Sequence, residues 1–544
     1  MIPLAILLAY LGLLLYVGRM GHVGHSQHTA ADYFVASRTL GPFLLVMSIF
    51  GTTMTAFALV GSTGEAWREG IGVYGLMASW SGIVHSACFF LIGVKLWHFG
   101  KLYGYNTQIE FFRDRFQSPA LGYLLFPILV TLVVPYIVIN IAGAGATIEK
   151  ISTGAGGTLA GWIGRPVPLL FNQDGGLVRG FGSGLVVFTV FVYVFGGGMR
   201  STAFANVVQT LILLVLSAFA LVLVVGQLGG PLEATRQVVE HRPDLLMRGS
   251  GGDHDGNMTH LVFLTYFFVP LSVAMFPHLF QHWMTARSAK AFRATVMLHP
   301  VFIAVVWTPC IFLGIWASSA VLNGQPVVPP GAEQNQILAI MMRKLTNPVM
   351  AGLVGVGVVS ATMALDSQFL CLSTMFTRDV VVRLFGEKRF TDQQQLKMAR
   401  LFVVLVVVAA YLLSLGAPRS VFALGVWCFS GFSALFPLVF AAIYWKRTTA
   451  AGAFACILTA AGVWLAMFYN ADWGANEEYT FLGMLPAAVN TVASAVALVV
   501  VSLLTKAPPQ ATLDKFFGLR ERLKNGPAFQ AIRSAPIPAA SAAE

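Results

Sequence analysis

The sequence predicts an all-α polytopic membrane protein with about 13 transmembrane helices. Three observations predict it. The 544 residues are 57% hydrophobic and 10% charged, with mean hydropathy +0.74, whereas soluble globular chains carry about 25% charged residues. The apolar residues fall into about 13 runs, each close to the roughly 20 residues that cross a bilayer. Between the runs, lysine and arginine collect on alternate loops, which is the positive-inside bias of membrane proteins.

The runs lie near residues 2–18, 43–62, 73–97, 121–145, 180–196, 204–227, 259–280, 295–320, 349–377, 399–416, 420–445, 449–469 and 483–505. The first, IPLAILLAYLGLLLYV, has no basic segment before it and no small-residue cleavage site, so it reads as a retained helix rather than a signal peptide. The run at 180–196 is short and rich in glycine, and residues 155–178 have room for a partial helix. With the N-terminus outside, the inner loops and tail carry about 22 Lys/Arg and the outer loops about 10. That bias puts the C-terminus in the cytoplasm of a bacterial inner membrane and requires an odd number of spans. After residue 506 the chain is soluble. There LDKFFGLRERL has the pattern of a short amphipathic helix on the inner leaflet, and the final APIPAASAAE has a disordered composition.

Composition also excludes classes. The net charge of +11 is spread over many loops, which fits topology and argues against a nucleic-acid partner. The five cysteines, Cys88, Cys310, Cys371, Cys428 and Cys456, sit in apolar runs without a CxxC pair. They read as core residues, not a disulfide or metal framework. No HExxH is present, and GFGSG at residues 180–184 suits a flexible start to a helix better than a nucleophile motif, so an intramembrane enzyme is not expected.

Two spans are interrupted. LLVMSIFGTTMTAFALVG has Gly51 followed by Thr52, Thr53 and Thr55; LVFLTYFFVPLSVAMFPHLF has Pro270 mid-span and Pro277 near its inner end. Proline removes a backbone donor and frees a carbonyl one turn earlier, and glycine beside threonines weakens a helix. Irregular backbone at membrane depth persists only where it is buried or lines a cavity. Close packing at Gly51, or a simple kink at Pro270, explains either interruption alone. Together they are the second and seventh spans, and broken helices in matching positions of two halves point to a transporter's central site. Breaks at residues 51–55 and 270–272 would bring Thr53, Thr55, Pro270 and Ser272 to a bound solute.

Intramembrane polar groups supply further candidates. On this segmentation Asp366 is the one acidic residue inside a span, and such a residue is a functional candidate by default. It can hold a cation or carry a proton; alternatively it braces a helix end through hydroxyls such as Thr362. Ser360, Met363, Ala364 and Ser367 share one helix face by spacing, and two of them offer a cation nothing. His278 and His282 are four residues apart near the inner end of a broken span, where histidine can shuttle protons; bonding to a loop carbonyl is the plainer role. Asn206 and Gln209 are amides early in their span, suited to bonding across helices. His85 stands alone in an apolar span and reads as a packed core histidine.

Four stretches resemble one family. MALDSQFLCLSTMFTRD is similar to the eighth core helix of the sodium/solute symporters, which include proline, pantothenate, monocarboxylate and sugar carriers. PHLFQHWMTARS resembles that family's signature after its broken sixth core helix, GGMRSTAFANVVQ its short loop into the fifth, and DYFVASRTLGPF its approach to the first. The resemblance implies the leucine-transporter fold: two inverted five-helix repeats, here about 43–227 and 258–446, with one span before and two after. It implies a transmembrane domain over 1–505 and a tail over 506–544.

The family's shared sodium site is built from carbonyls of the first core helix and two hydroxyls of the eighth. The matching carbonyls are those of Gly51 and Met54, with Ser360 adding a third. The hydroxyl positions are occupied by Met363 and Ala364. The family often has an acid where this chain has Asn206, and some members have one where it has Thr53. Ligands to a charged group contribute roughly 1.5–3 kcal/mol each, and a millimolar site is worth about 4 kcal/mol, so these losses predict weak or absent sodium coupling. The expectation is a secondary transporter for a small organic solute, a monocarboxylate or amino acid, with Na+ or H+ as coupling ion, no other cofactor and no metal. The alternative is a sensor or scaffold that kept the fold and lost transport; against it, no signalling domain follows residue 506.

Overall fold

The structure, a computed structural model, describes residues 1–23, 29–163, 167–247, 259–386, 389–416 and 420–518. The helices that frame the molecule are α1 (Ile2–Val23), α2 (Pro42–Thr53), α3 (Phe57–Glu69), α4 (Ser81–Tyr103), α5 (Pro119–Ile151), α6 (Arg179–Gln227), α7 (His260–Ala274) and α8 (Pro277–Met284). They continue with α9 (Ala289–Ala317), α10 (Pro348–Phe385), α11 (Asp392–Leu415), α12 (Val421–Tyr444), α13 (Ala450–Asn470) and α14 (Pro486–Leu504). Among the described residues ten helices are long and apolar enough to span a membrane, or twelve if each bent pair counts as one span, against thirteen expected.

The difference lies in α6. A straight helix of its 49 residues would be about 73 Å long at 1.5 Å per residue, more than twice the roughly 30 Å of bilayer hydrocarbon. It turns at Gly198, with φ 54° and ψ −142°. A side chain there would be strained by the left-handed φ and would meet the Tyr33 carbonyl oxygen at 2.6 Å. Across the turn, Gln209 Nε2 donates to the Tyr193 hydroxyl at 3.3 Å, so the two arms lie side by side. The element order then repeats. A bent pair (α2/α3), α4, α5 and the two arms of α6 form one set of five, and a bent pair (α7/α8), α9, α10, α11 and α12 form the second.

Both expected interruptions are present; the first falls within residues 51–55 and the second is shifted. The first helix continues through Gly51 to Thr53, because the Thr53 hydroxyl donates back to the carbonyls of Ile49 and Phe50. Met54 is extended (φ −85°, ψ 122°), and α3 leaves at 57° to α2. The second break is not at Pro270. Residues 266–274 form a 3-10 helix that runs through Pro270, and the chain bends by 50° after it. Phe276 is extended there (φ −64°, ψ 116°), because the Pro277 ring excludes the helical conformation from the residue before it.

Residues 155–163 are helical, in the stretch that had room for a partial helix. In the tail, Gln510–Phe517 is a helix, but it docks on protein rather than presenting its apolar face to lipid. Phe516 is buried against Phe99, Tyr103 and Phe111, and Lys515 Nζ bonds Asp114 at 2.5 Å. Arg115 lies beneath that helix, where burial pushes its guanidinium down to about 10, still charged at neutral pH. The rest of the amphipathic stretch and the terminal APIPAASAAE fall outside the described residues.

Candidate functional site

Thr53, Thr55, Pro270 and Ser272 line a single cavity between the two bent pairs. Its walls also include Ser81 and His85 from α4, Tyr136 from α5, Trp307 from α9 and Phe429 from α12. The aromatic walls hold one another. Phe57 stacks on Phe422 (4.9 Å), Tyr136 meets Phe429 edge-on (5.1 Å), and Phe276 stacks on His278 (5.1 Å). The break between α2 and α3 is secured from outside, since the Ala56 N–H donates to Asn140 Oδ1 at 2.9 Å. The cavity has a volume of about 30 Å³, room for a water molecule or two. Side-chain ion pairs lie toward both ends of the molecule. At one end Arg68 pairs with Glu65, Glu69 and Glu478 at 2.9, 3.1 and 2.7 Å. At the other Arg378 pairs with Glu110 at 3.1 Å, and Arg113 with Asp379 at 3.6 Å.

α3 runs on to Glu69, so it carries a buried Glu65, and Asp366 is not the only acid on a membrane helix. It differs from Glu65 in having no cationic partner. Asp366 is fully buried and sits just past a break in α10, where Pro348–Thr362 ends and Leu365–Met375 begins. Tyr193 donates its hydroxyl to Asp366 Oδ2 at 2.9 Å. The Ser367 N–H and hydroxyl donate to Oδ1 at 2.5 and 2.9 Å. Thr362, the hydroxyl expected nearby, is spent on the Val359 carbonyl.

From Ser367 a chain of side chains crosses the protein. Ser367 Oγ lies 2.9 Å from His282 Nε2, and His282 Nδ1 lies 2.9 Å from Ser48 Oγ on α2. Because the Ser367 hydroxyl hydrogen goes to Asp366, its oxygen accepts from His282 Nε2–H, and a neutral ring then accepts from Ser48 through Nδ1. Tyr193, Ser367, His282 and Ser48, four groups on four helices, thus point their hydrogens toward one carboxylate. His278, the expected partner, is not in this chain: both its ring nitrogens are buried without a hydrogen bond. Sequence spacing put His278 and His282 on one face; the serines that distinguish them are distant in sequence.

The expected cation ligands do not form a set. Gly51 packs against the second arm of α6, where an added Cβ would lie 2.8 Å from Thr210 Oγ1 and 3.2 Å from the Asn206 carbonyl oxygen. Substituting Gly51→Ala is therefore expected to destabilise the protein by about 1–3 kcal/mol, the usual effect of overpacking, readable as a lower melting temperature in detergent. The Ser360 carbonyl already accepts the Met363 N–H at 3.3 Å, and its hydroxyl donates to the Val356 carbonyl and accepts from the Tyr10 hydroxyl, each at 2.8 Å. Met363 and Ala364, both buried, form the α10 break itself, so the four-residue face expected there is not continuous. A thioether and a methyl do not fit a hard cation, which selects oxygen. Oxygens without donors lie elsewhere: Thr52 Oγ1, Asn206 Oδ1 and Gln209 Oε1 are buried and unpartnered.

The sequence profile of the sodium:solute symporter family matches residues 33–181 and 169–460. The chain belongs to the sodium:solute symporter family. It is thus an integral membrane transporter, not an enzyme. Among relatives of this symporter, an uncharacterized symporter of Bacillus subtilis, YhjB, is 23% identical over 84% of this chain and 87% of its own. The sodium/pantothenate symporter of Escherichia coli K12 is 24% identical over 89% and 92%. A solved structure of a Na+-coupled sialic acid symporter, in a substrate-bound outward-open state, superposes with a TM-score of 0.72. That match, at 16% identity, covers 94% of this symporter and 99% of the other chain, and shows the shared fold.

The residues that sequence reasoning missed are Tyr193, Tyr10, His282 as a partner of Asp366, and the pair His85 and His299. Their partners are 173, 350, 85 and 214 positions away. A tyrosine or histidine in an apolar run was the available signal, and it does not say what it meets.

Proposed function

We propose that this symporter moves a small organic solute, a monocarboxylate or amino acid, by alternating access across a bacterial inner membrane. Its N-terminus is outside and its C-terminus cytoplasmic. The repeats at about 43–227 and 258–446 are the halves that move. The observation that carries the reading is that Thr53, Thr55, Pro270 and Ser272, chosen for their place near two interruptions, line one cavity beside both helix breaks. A cavity of about 30 Å³ fits a state between the two open ones, since any organic solute needs the halves to part.

The coupling ion in this reading is a proton on Asp366. The side chains facing that carboxylate are Tyr193, Tyr10 and Ser367, with His282 beyond Ser367, and none of them is cationic when His282 is neutral. The Ser48–His282–Ser367 chain offers a path to it, while Met363 and Ala364 leave the family's sodium position without side-chain oxygens. The test is solute uptake into proteoliposomes under an inward proton gradient, an inward sodium gradient, or neither. The expected result is accumulation with the proton gradient and little sodium effect. Strong stimulation by low-millimolar sodium would refute proton coupling.

A further inference from the structure

Three residues lining the central cavity, Trp307, His85 and Tyr266, carry a donor with no hydrogen-bond acceptor; the Tyr266 hydroxyl is buried and unpartnered. Trp307 Nε1 is buried and has no hydrogen-bond partner, and an indole N–H can only donate. His85 reaches the same cavity from α4, and its Nδ1 lies 3.2 Å from Nε2 of His299 on α9. One of these two nitrogens carries the hydrogen. His299 Nδ1 is buried and unpartnered. If His85 donated, a neutral His299 would hold its own hydrogen on Nδ1, as a buried N–H with no acceptor. If His299 donates, only a bare lone pair is left there, which proteins tolerate more readily than an orphaned N–H. His299 Nε2–H therefore donates to His85 Nδ1, and the His85 hydrogen sits on Nε2, the nitrogen not engaged by His299.

The cavity has no opposite feature. No acid and no lysine or arginine is among its lining residues. Glu65, within electrostatic reach of Tyr266 at the cavity wall, is held by Arg68 at 2.9 Å.

We propose that the transported solute carries a carboxylate and no ammonium, and that Trp307 Nε1–H and His85 Nε2–H receive that carboxylate. His299 is a positioning residue, fixing which nitrogen of His85 donates. The inference rests on the cavity being the solute site. Burying a carboxylate without a cationic side chain is costly, and the two N–H donors offset part of that cost.

The experiment uses the full-length protein and three probes of one shape: propionate, propionamide and alanine. Binding is measured on the purified protein and uptake in proteoliposomes. Propionate is expected to bind at least about tenfold more tightly than the other two, the usual effect of charge-assisted hydrogen bonds. Trp307→Phe is expected to weaken propionate about tenfold. His299→Leu, which cannot donate to His85, is expected to erase the preference for propionate over propionamide, and His299→Gln, which can, to retain it. A merely structural role for His299 would lower stability and leave that ratio alone. Equal or tighter binding of propionamide or alanine, binding of none of the three, or an unchanged ratio in Trp307→Phe and His299→Leu overturns the inference. Flux of other solutes in the same vesicles would leave the transport reading standing; absence of flux for every member of a broad metabolite panel overturns that reading instead.

Discussion

Replacing Asp366 with Asn is expected to abolish ion-driven accumulation while leaving solute exchange at equal concentrations largely intact. Asparagine keeps the volume: its oxygen can still accept from the Ser367 N–H and hydroxyl, and its NH2 can donate to the Tyr193 oxygen, where the two residues now donate to the carboxylate at 2.9 Å or less. It cannot carry the proton. Uptake driven by a proton gradient should fall to the passive level, a loss of at least tenfold in the accumulation ratio, because one removed coupling step leaves no thermodynamic link between solute and gradient. Counterflow, which needs no driving ion, should persist. The two assays together separate a lost coupling group from a protein that failed to fold. If Asp366→Asn accumulates solute like the parent, the carboxylate is only a brace for the α10 break.

The second expectation is a gain. Met363→Ser together with Ala364→Ser restores two hydroxyls at the positions where relatives place sodium ligands. Each ligand to a charged group contributes roughly 1.5–3 kcal/mol, so the pair is expected to strengthen sodium binding by about 3 kcal/mol or more, over a hundredfold. The readout is the sodium concentration that half-saturates uptake, which should enter the millimolar range. Both positions are fully buried at a break in α10, where small polar side chains replace a thioether and a methyl without overfilling the site. If the double variant remains indifferent to sodium, the missing oxygens are not what weakens the site.

Much of the fold was legible because membrane helices announce themselves by length and composition. The bent pairs were legible as pairs, and the first break lies within the expected 51–55; its place inside that range and the misplaced second break have two physical reasons. The hydroxyl of Thr53 satisfies carbonyls of its own helix, so the threonines extend α2 instead of ending it. A 3-10 segment absorbs Pro270, and the proline that breaks the second span is Pro277, through its effect on Phe276. The four cavity-lining residues lie together because each is within a few residues of a break, and the break sets what borders the cavity. Gly51 was ambiguous between close packing and a carbonyl ligand, and its neighbours Asn206 and Thr210 give the packing role an atomic basis. The hydrogen-bond chain from Ser48 to Asp366 was not legible. It joins three helices, and a sequence holds no record of which histidine meets which serine.

The central claim is that the pocket between the two bent helix pairs is where the solute sits. Its most direct test is chemical labelling of Ser272→Cys with a small membrane-permeant thiosulfonate. The five native cysteines are buried, so the parent protein should be insensitive. The account predicts that the reagent blocks uptake in the variant and that transported solute, added first, slows the block in proportion to its occupancy. Labelling that blocks uptake without protection by solute, or that leaves uptake untouched, would contradict it.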